Sequence, residues 1–348
     1  MVGYLVLENG EIFEGERIGY TKDVACEVVF NTSMVGYIEA FTDPSYLGQG
    51  IVMTYPLIGN YGVMPEDYES DRIYASAVFV HELADFESNF RSKFSVEKFL
   101  RDNKIPGLSG VNTRKLTRML RDAGTMNAYL TSNIDNIDEI MERIKLYKIE
   151  NALEKVTCKQ AKTYGRGKTK KVAVLDCGVK HNLINSLLKR DVEVTVFPAT
   201  AEPEQILGLK PDGILLSNGP GNPMDYKKQI KTVQKLYESN VPILGIALGH
   251  QLMAIANGAK TEKLKYGHRG PNHPVKDLKQ DIVHITNQNH GYYIIEESID
   301  KKIAEVSHIN LNDKTVEGLR YKNKKVFTIQ FYPEDANYIY DEFIEMMK

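Results

Sequence analysis

The stretch that most constrains the fold is residues 241–250, Val-Pro-Ile-Leu-Gly-Ile-Ala-Leu-Gly-His. A short apolar run over residues 243–246 leads into a compact Gly245-x-Ala247-x-Gly249 turn. The apolar residues that follow recur at near-helical spacing: Leu248, Leu252, Met253 and Ile255. The pattern predicts a strand, a sharp turn and a helix. Glycines flank the central residue because larger side chains would clash in so tight a turn.

The residue at the centre of this turn is chemically inert. In hydrolases such an elbow lifts a nucleophile out of the sheet and points a helix N-terminus at developing negative charge. Here the central residue is Ala247, and its methyl group cannot attack a substrate. The sequence therefore predicts the scaffold of a nucleophile without the nucleophile.

The length of 348 residues predicts two domains of ordinary size. We assign residues 1–150 to the first domain, 151–170 to a linker and 171–348 to the second domain. Residues 159–171 are basic, contain glycine and are poor in large aliphatic side chains. Such a segment could bind an anion, but a solvated interdomain linker is the favoured interpretation.

The first domain has the pattern of a small α+β unit, with strands followed by helices. Asn9-Gly10 between two apolar runs predicts a hairpin, because both turn positions favour positive φ. Residues 27–30 predict a further strand, and residues 31–61, dense in turn formers and aromatics, predict an ordered loop surface. Helices are expected from Ser95 to Asn103, and from Asn112 or Thr113 to Gly124.

The second domain alternates strands and helices, which predicts a doubly wound parallel sheet with ligands at the carboxyl ends of its strands. The predicted strands cover residues 172–176, 192–197, 213–217, 243–246, 282–287, 315–321 and 326–331. Helices are expected through Leu183 to Leu188, over 229–237, after the elbow, and from about Asp335 to Met347.

Composition excludes several classes of protein. The net charge of −2 gives no reason to expect binding to nucleic acid or to an anionic membrane. The three cysteines form no CxxC pair, which argues against disulfides or a zinc site and fits a cytoplasmic protein. No signal peptide, membrane-spanning segment or other metal site is expected.

Several motifs in order along the chain resemble one family, the small, glutamine-amidotransferase subunit of carbamoyl phosphate synthetase. They are Asn31-Thr-Ser-Met-Val-Gly-Tyr, Thr42-Asp-Pro-Ser-Tyr, Thr54-Tyr-Pro-Leu-Ile-Gly-Asn, Leu216-Ser-Asn-Gly-Pro-Gly-Asn-Pro, Leu248-Gly-His-Gln, Gly267-His-Arg-Gly-Pro-Asn-His-Pro, Asn287-Gln-Asn-His-Gly and Thr315-Val-Glu-Gly-Leu-Arg. The resemblance runs nearly end to end. It implies an N-terminal α+β domain followed by a doubly wound class I glutamine amidotransferase domain.

The resemblance also implies a reaction. In the family a cysteine at the elbow attacks glutamine, a histidine is its base, and a glutamate orients the histidine. Those positions are Ala247, Tyr332 and Glu334 here, so only the glutamate remains, and a tyrosine with an ordinary pKa of about 10 is a poor base. The segment that follows, from Asp335 to Tyr338, is shorter than usual in the family.

Family members pass ammonia to a large subunit, which makes carbamoyl phosphate for arginine or pyrimidine biosynthesis. The large subunit is therefore the expected partner, and ATP would bind there, so no cofactor is expected in this chain.

The residues that hold glutamine in the family are better retained. The matching positions are Ser45, Gly219, Gly221, Leu248, Gln251, Asn289, Gly291 and Tyr292. Tyr292 stands where phenylalanine is usual and keeps the ring. The resemblance implies an oxyanion hole of backbone amides near Gly219 and Leu248, where glycine lets the backbone approach a ligand. Because a phenol at Tyr332 is larger than imidazole, we expect weak binding of glutamine.

Other residues could be taken for replacement catalytic groups. His268 and His290 lie in motifs where the family also carries histidine, which favours a structural role for both. Cys177 follows the first strand of the second domain rather than the elbow, and is expected to be a buried small residue.

Three hypotheses remain open on the sequence. The first is a synthetase small subunit without glutaminase activity that supports ammonia-dependent synthesis. The second is a non-catalytic glutamine-binding or scaffolding protein. The third is an engineered inactive form of an active glutaminase, against which the Tyr332 substitution argues.

Overall fold

The computed structural model describes residues 1–334 and 337–347. The chain forms two compact units. The first comprises Met1–Glu150 with Lys265–Arg269, and the second comprises Asn151–Leu264 and the chain from Gly270 onward. Residues 151–170, assigned to a linker from their composition, lie in the second unit.

The first unit is built on a closed barrel with strand order β1-β2-β8-β6-β4-β3-β9. Its strands are β1 Val2–Leu7, β2 Ile12–Gly19, β3 Val24–Asn31, β4 Gln49–Met53, β6 Ala77–Phe79, β8 Pro106–Ser109 and β9 Met126–Thr131. Two short strands, β5 Leu57–Ile58 and β7 Glu82–Leu83, pair in parallel outside the barrel. The helices are α1 Tyr37–Thr42, α2 Val96–Asp102, α3 Thr113–Ala123 and α4 Ile137–Leu146.

Local sequence signals account for several of these elements. Gly10 takes a positive φ of 85° in the turn between β1 and β2, as the hairpin prediction requires. Ser95 caps α2 by accepting a hydrogen bond from the Lys98 amide at 3.3 Å, and Asn112 caps α3 in the same way. The predicted hairpin and both predicted helices are confirmed.

The prediction of a loop surface over residues 31–61 is wrong in part. This segment contains α1 and β4, and its aromatic side chains Tyr37, Phe41 and Tyr46 are buried in the core of the first unit. Burial of these large rings removes a large apolar area from water, so the segment packs into the core instead of forming a surface loop.

The second unit contains a sheet with strand order β10-β12-β11-β13-β14-β19-β18-β16-β15-β17. Its strands are β10 Lys162–Tyr164, β11 Lys170–Asp176, β12 Val192–Pro198, β13 Gly213–Leu216, β14 Ile243–Ile246, β15 Thr261–Asp277, β16 Ile282–Ile294, β17 Ala304–Asn310, β18 Val316–Tyr321 and β19 Val326–Ile329. The run from β12 to β19 is parallel, as predicted for a doubly wound domain. Apolar residues of β11, β12 and β14 belong to one buried cluster.

The helices of the second unit are α5 Ala152–Val156, α6 His181–Leu188, α7 Pro203–Gly208, α8 Lys227–Glu238, α9 Leu248–Ala256 and α10 Asn337–Met346. The predicted start of the last helix at Asp335, and the short segment counted from it, lie partly outside the described residues. The basic segment carries β10, which pairs antiparallel with β12 through Thr163 and Thr195. That pairing satisfies backbone groups that a solvated linker would leave to water.

None of the helices that the structure describes has both the length and the apolar character needed to cross a bilayer. Cys26, Cys158 and Cys177 are all free thiols.

Candidate active site

The predicted elbow is present, and its central residue has an unusual backbone. Strand β14 ends at Ile246 and helix α9 begins at Leu248, with Ala247 between them at φ 50° and ψ −106°. Such a conformation costs a residue with a Cβ about 1–3 kcal/mol. The amide of Ala247 donates to the Ile329 carbonyl at 2.9 Å, and its carbonyl accepts from the Gln251 amide at 3.1 Å. The parallel strand and the helix thus hold the turn without help from a catalytic side chain.

Close backbone packing explains the glycine that follows. A Cβ on Gly249 would lie 2.2 Å from the Leu216 carbonyl oxygen, so α9 rests directly on the end of β13. The Gly249 amide donates to the Ser217 carbonyl at 3.0 Å. This contact fixes the N-terminus of α9 at the carboxyl end of the sheet.

Tyr332, which the resemblance places at the base position, is buried just beyond β19. Its amide donates to the Asn287 carbonyl at 2.9 Å, and the two residues form an isolated bridge. Tyr332 and Ala247 are both 3% exposed and belong to the same buried apolar cluster. The structure therefore places both predicted positions in one interior region.

Glu334 is held by two side chains of the second unit. Its Oε1 pairs with the ammonium group of Lys180, and its Oε2 accepts from Asn287 Nδ2 at 3.1 Å. Burial alone would raise the pKa of this carboxyl, but the charge of Lys180 and the hydrogen bonds from Lys180 and Asn287 outweigh it and hold the pKa below its ordinary value. Glu334 is therefore an ionised, paired carboxylate.

Lys180 is the site residue that sequence reasoning missed. Its side chain is 2% exposed, and its Nζ lies 4.1 Å from the centroid of the Tyr332 ring. A lysine is rarely so buried unless paired, and Glu334 supplies the pair. The one signal in the sequence is its place just after β11, between the Asp176-Cys-Gly turn and helix α6.

The Gly219-Pro220-Gly221 turn packs against the elbow helix. A Cβ on Gly219 would lie 2.1 Å from the Cys177 carbonyl oxygen and 2.8 Å from Leu248 Cδ2. Tyr226, also missed from the sequence, donates its hydroxyl to the Pro220 carbonyl at 2.7 Å. The two predicted oxyanion-hole positions are thus neighbours.

Gln251 and Tyr292 are joined by a hydrogen bond. Gln251 Nε2 donates to the Tyr292 carbonyl at 2.9 Å and to Gln330 Oε1 at 3.0 Å. Asn289, Gly291 and Tyr292 lie together on β16. Ser45 belongs to the first unit, where its amide donates to Asp43 Oδ1 at 2.9 Å in a short 3₁₀ turn.

The alternative catalytic residues have other surroundings. His290 has both ring nitrogens within hydrogen-bond distance of oxygens, Nδ1 at 2.8 Å from the Tyr292 carbonyl and Nε2 at 2.9 Å from Gln288 Oε1. His268 is a buried residue of the Lys265–Arg269 segment of β15. Cys177 is fully buried, and burial raises the pKa of its thiol, so a thiolate does not form there at neutral pH.

Two family models match this chain, one in each unit. The family model described as class I glutamine amidotransferase matches residues 173–345, and the one described as carbamoyl-phosphate synthase small chain, CPSase domain, matches residues 5–130. A solved glutamine amidotransferase from Thermotoga maritima is 15% identical, with a TM-score of 0.41, over 52% of this chain and 85% of its own. The second unit is a class I glutamine amidotransferase domain.

Relatives extend the match to nearly the whole chain. The carbamoyl phosphate synthase pyrimidine-specific small chain of Bacillus subtilis is 46% identical over 99% of this chain and 95% of its own. The carbamoyl phosphate synthase small chain of Clostridium perfringens is 44% identical over 99% of both chains. The chain belongs to the carbamoyl phosphate synthase small chain family.

Proposed function

We propose that this protein is the small subunit of a carbamoyl phosphate synthase and that it does not hydrolyse glutamine itself. The observation that carries the proposal is Ala247 at the centre of a fully formed elbow, where φ is 50° and the side chain is a methyl group. No thiol or hydroxyl stands at the position that the fold prepares for an attacking atom.

The base position supports the same conclusion. Tyr332 offers a phenol, whose ordinary pKa of about 10 makes it a poor base at neutral pH. Glu334, which would orient an imidazole, is instead paired with Lys180. Removing the nucleophile of a hydrolytic triad costs on the order of 10⁶ in turnover, or about 8 kcal/mol of barrier, and losing the base as well adds little.

The proposed role is then that of a partner subunit. The relatives are called small chains, and we infer that this chain assembles with a large subunit that makes carbamoyl phosphate from free ammonia in the cytoplasm, for arginine or pyrimidine biosynthesis. ATP would bind to the large subunit, and this chain needs no cofactor or metal.

A second candidate is a glutamine-binding protein without a catalytic partner. It is favoured by the retained glutamine positions, among which the Gln251–Tyr292 hydrogen bond is formed. A genome that lacks a large-subunit gene would support this second function.

The test is to purify the chain with the large subunit encoded in the same genome. Carbamoyl phosphate synthesis is then measured with either glutamine or ammonium chloride as the nitrogen source. We expect synthesis with ammonium and none above background with glutamine. Release of ammonia from glutamine that disappears in Glu334→Ala would overturn the proposal.

A further inference from the structure

Two phenylalanines of the first unit have side chains that are largely exposed to solvent. Phe90 is 96% exposed and Phe86 is 78% exposed. Both lie in residues 84–94, between β7 and α2, a segment that we name the phenylalanine loop. Aromatic residues are enriched in protein–protein interfaces relative to the rest of the protein surface.

The loop is fixed to its neighbours rather than loosely attached. At one end the Ser88 amide donates to the Asn60 carbonyl at 2.9 Å. At the other end the Lys93 amide donates to the Val63 carbonyl at 3.0 Å, and the Val63 amide donates to Phe94 at 3.0 Å. Because both ends are hydrogen-bonded to residues 60–63, the backbone is already ordered before a partner binds.

The tip of the loop is ordered as well. Asn89 Oδ1 accepts from the Arg91 amide at 2.9 Å, and the Asn89 carbonyl accepts from the Ser92 amide at 3.0 Å. Phe90 is therefore held at the centre of a turn stabilised by an asparagine side chain. A rigid turn that presents an aromatic ring has the form of an interface anchor.

A second pair of exposed apolar residues is attached to the same place. Met34 is 67% exposed and Val35 is 68% exposed. The next residue, Gly36, donates its amide to the Tyr61 hydroxyl at 2.7 Å, and Tyr61 stacks on Tyr37 with ring centroids 4.1 Å apart. Residues 34–36 and the phenylalanine loop are thus both hydrogen-bonded to residues 60–63 of the first unit.

The apolar area and the charges of the phenylalanine loop indicate what kind of partner it binds. Two aromatic side chains can bury roughly 300–500 Å² together, a large part of the ~800 Å² that each partner contributes to an interface of standard size. Asp85 and Glu87 flank Phe86 in the sequence, and the exposed cation Arg91 follows Phe90. A complementary partner therefore places lysine or arginine beside Phe86 and a carboxylate beside Phe90.

We propose that Phe86 and Phe90 are the anchor residues by which this chain docks on the large subunit of carbamoyl phosphate synthase. The inference rests on the proposed function. Both residues lie within residues 5–130, the region matched by the small chain's CPSase domain and separate from the amidotransferase domain. A surface on this domain suits a contact that a free-standing amidotransferase does not need.

The test measures binding of the full chain to the large subunit from the same genome by biolayer interferometry. We expect the double variant Phe86→Ser, Phe90→Ser to raise Kd at least a hundredfold, with an unchanged Tm because neither ring is buried. Leu146→Ser is the matched control, since Leu146 is 76% exposed elsewhere in the same unit, and it should bind like the original chain. The pair Asp85→Lys, Glu87→Lys should slow association about tenfold at low salt.

The outcomes separate the two proposals. If the original chain fails to bind the large subunit, the proposed function is overturned. If it binds and the double phenylalanine variant binds equally well, docking through these residues is overturned while the proposed function stands. Sedimentation of the chain alone tests whether a second copy of this chain occupies the surface instead. A homodimer that the double variant dissociates, with binding to the large subunit unchanged, would assign the surface to a second copy and contradict the proposal.

Discussion

The ammonium group of Lys180 pairs with Glu334 and lies 4.1 Å from the centroid of the Tyr332 ring. One buried cation therefore contacts both residues that follow β19 at the predicted base and orienter positions. The contact with the ring is a cation–π interaction and the contact with the carboxylate is an ion pair, and each is strengthened by the exclusion of water. The charge of Glu334 is therefore neutralised by the ammonium group of Lys180 rather than by a catalytic imidazole.

Removal of Lys180 is expected to destabilise the fold. In Lys180→Met the carboxylate of Glu334 would stay buried without its cation, which costs about 3 kcal/mol in the free energy of unfolding. Urea denaturation measures this loss. The double variant Lys180→Met, Glu334→Gln should recover much of it, because no unpaired charge is left inside.

An exposed ion pair provides the control for that experiment. Lys98 and Asp102 form an i,i+4 pair on α2 in which both side chains are 52% exposed. Lys98→Met should change the free energy of unfolding by less than about 1 kcal/mol. Equal losses for Lys180→Met and Lys98→Met would show that burial adds nothing to the Lys180 pair.

Restoration of glutaminase activity should need two substitutions. Ala247→Cys supplies a thiol without an imidazole beside it, so its thiolate fraction at neutral pH stays small. With Tyr332→His added, turnover should exceed the sum of the single variants by a large factor, because nucleophile and base act as a unit. Ammonia release from glutamine is the measurement. Full recovery by Ala247→Cys alone would identify another base, with His290 the first residue to test.

Glutamine binding should improve when the phenol is removed. Extra bulk in a tight site costs about 1–3 kcal/mol, so Tyr332→Ala is expected to bind glutamine roughly tenfold to a hundredfold more tightly. Calorimetry on both proteins measures the difference. Tyr20→Ala, at a residue that is 40% exposed in the first unit, is the control. Tight binding by the original chain would favour a glutamine sensor, and no binding by Tyr332→Ala would mean that the retained motifs only preserve the fold.

Acid should destabilise the second unit through its buried histidines. Burial, with a smaller contribution from the charge of His308, lowers the pKa of His250 to about 3, and burial also lowers the pKa of His308. Below pH 6.5 the unfolded chain binds protons at these positions that the folded chain does not. Each histidine therefore removes about 1.4 kcal/mol of stability per pH unit as the pH falls toward its folded pKa.

The pH dependence of urea denaturation between pH 7 and pH 4 tests this expectation. His250→Asn should reduce the slope of the unfolding free energy against pH, whatever its effect at pH 7. A slope unaffected by His250→Asn would contradict the assignment.

The sequence predicted the features that depend on neighbouring residues. The Asn9-Gly10 hairpin, the caps at Ser95 and Asn112 and the elbow around Ala247 are all set by a few adjacent side chains. Closure of the barrel was not predicted, because it depends on pairs such as Leu5 with Leu130 that are distant in the chain. Lys180 was missed for the same reason: its partner Glu334 lies 154 residues away, and no local pattern marks a lysine as buried.

The backbone of Ala247 shows that folding and chemistry have separate requirements here. Hydrogen bonds to Ile329 and Gln251 and the contact of Gly249 with Leu216 maintain the turn, and none of them involves the side chain of residue 247. The turn therefore forms without any contribution from a reactive atom at residue 247. If the proposed function is correct, natural selection on assembly alone would preserve this geometry, and glutamine hydrolysis would require new side chains but no new architecture.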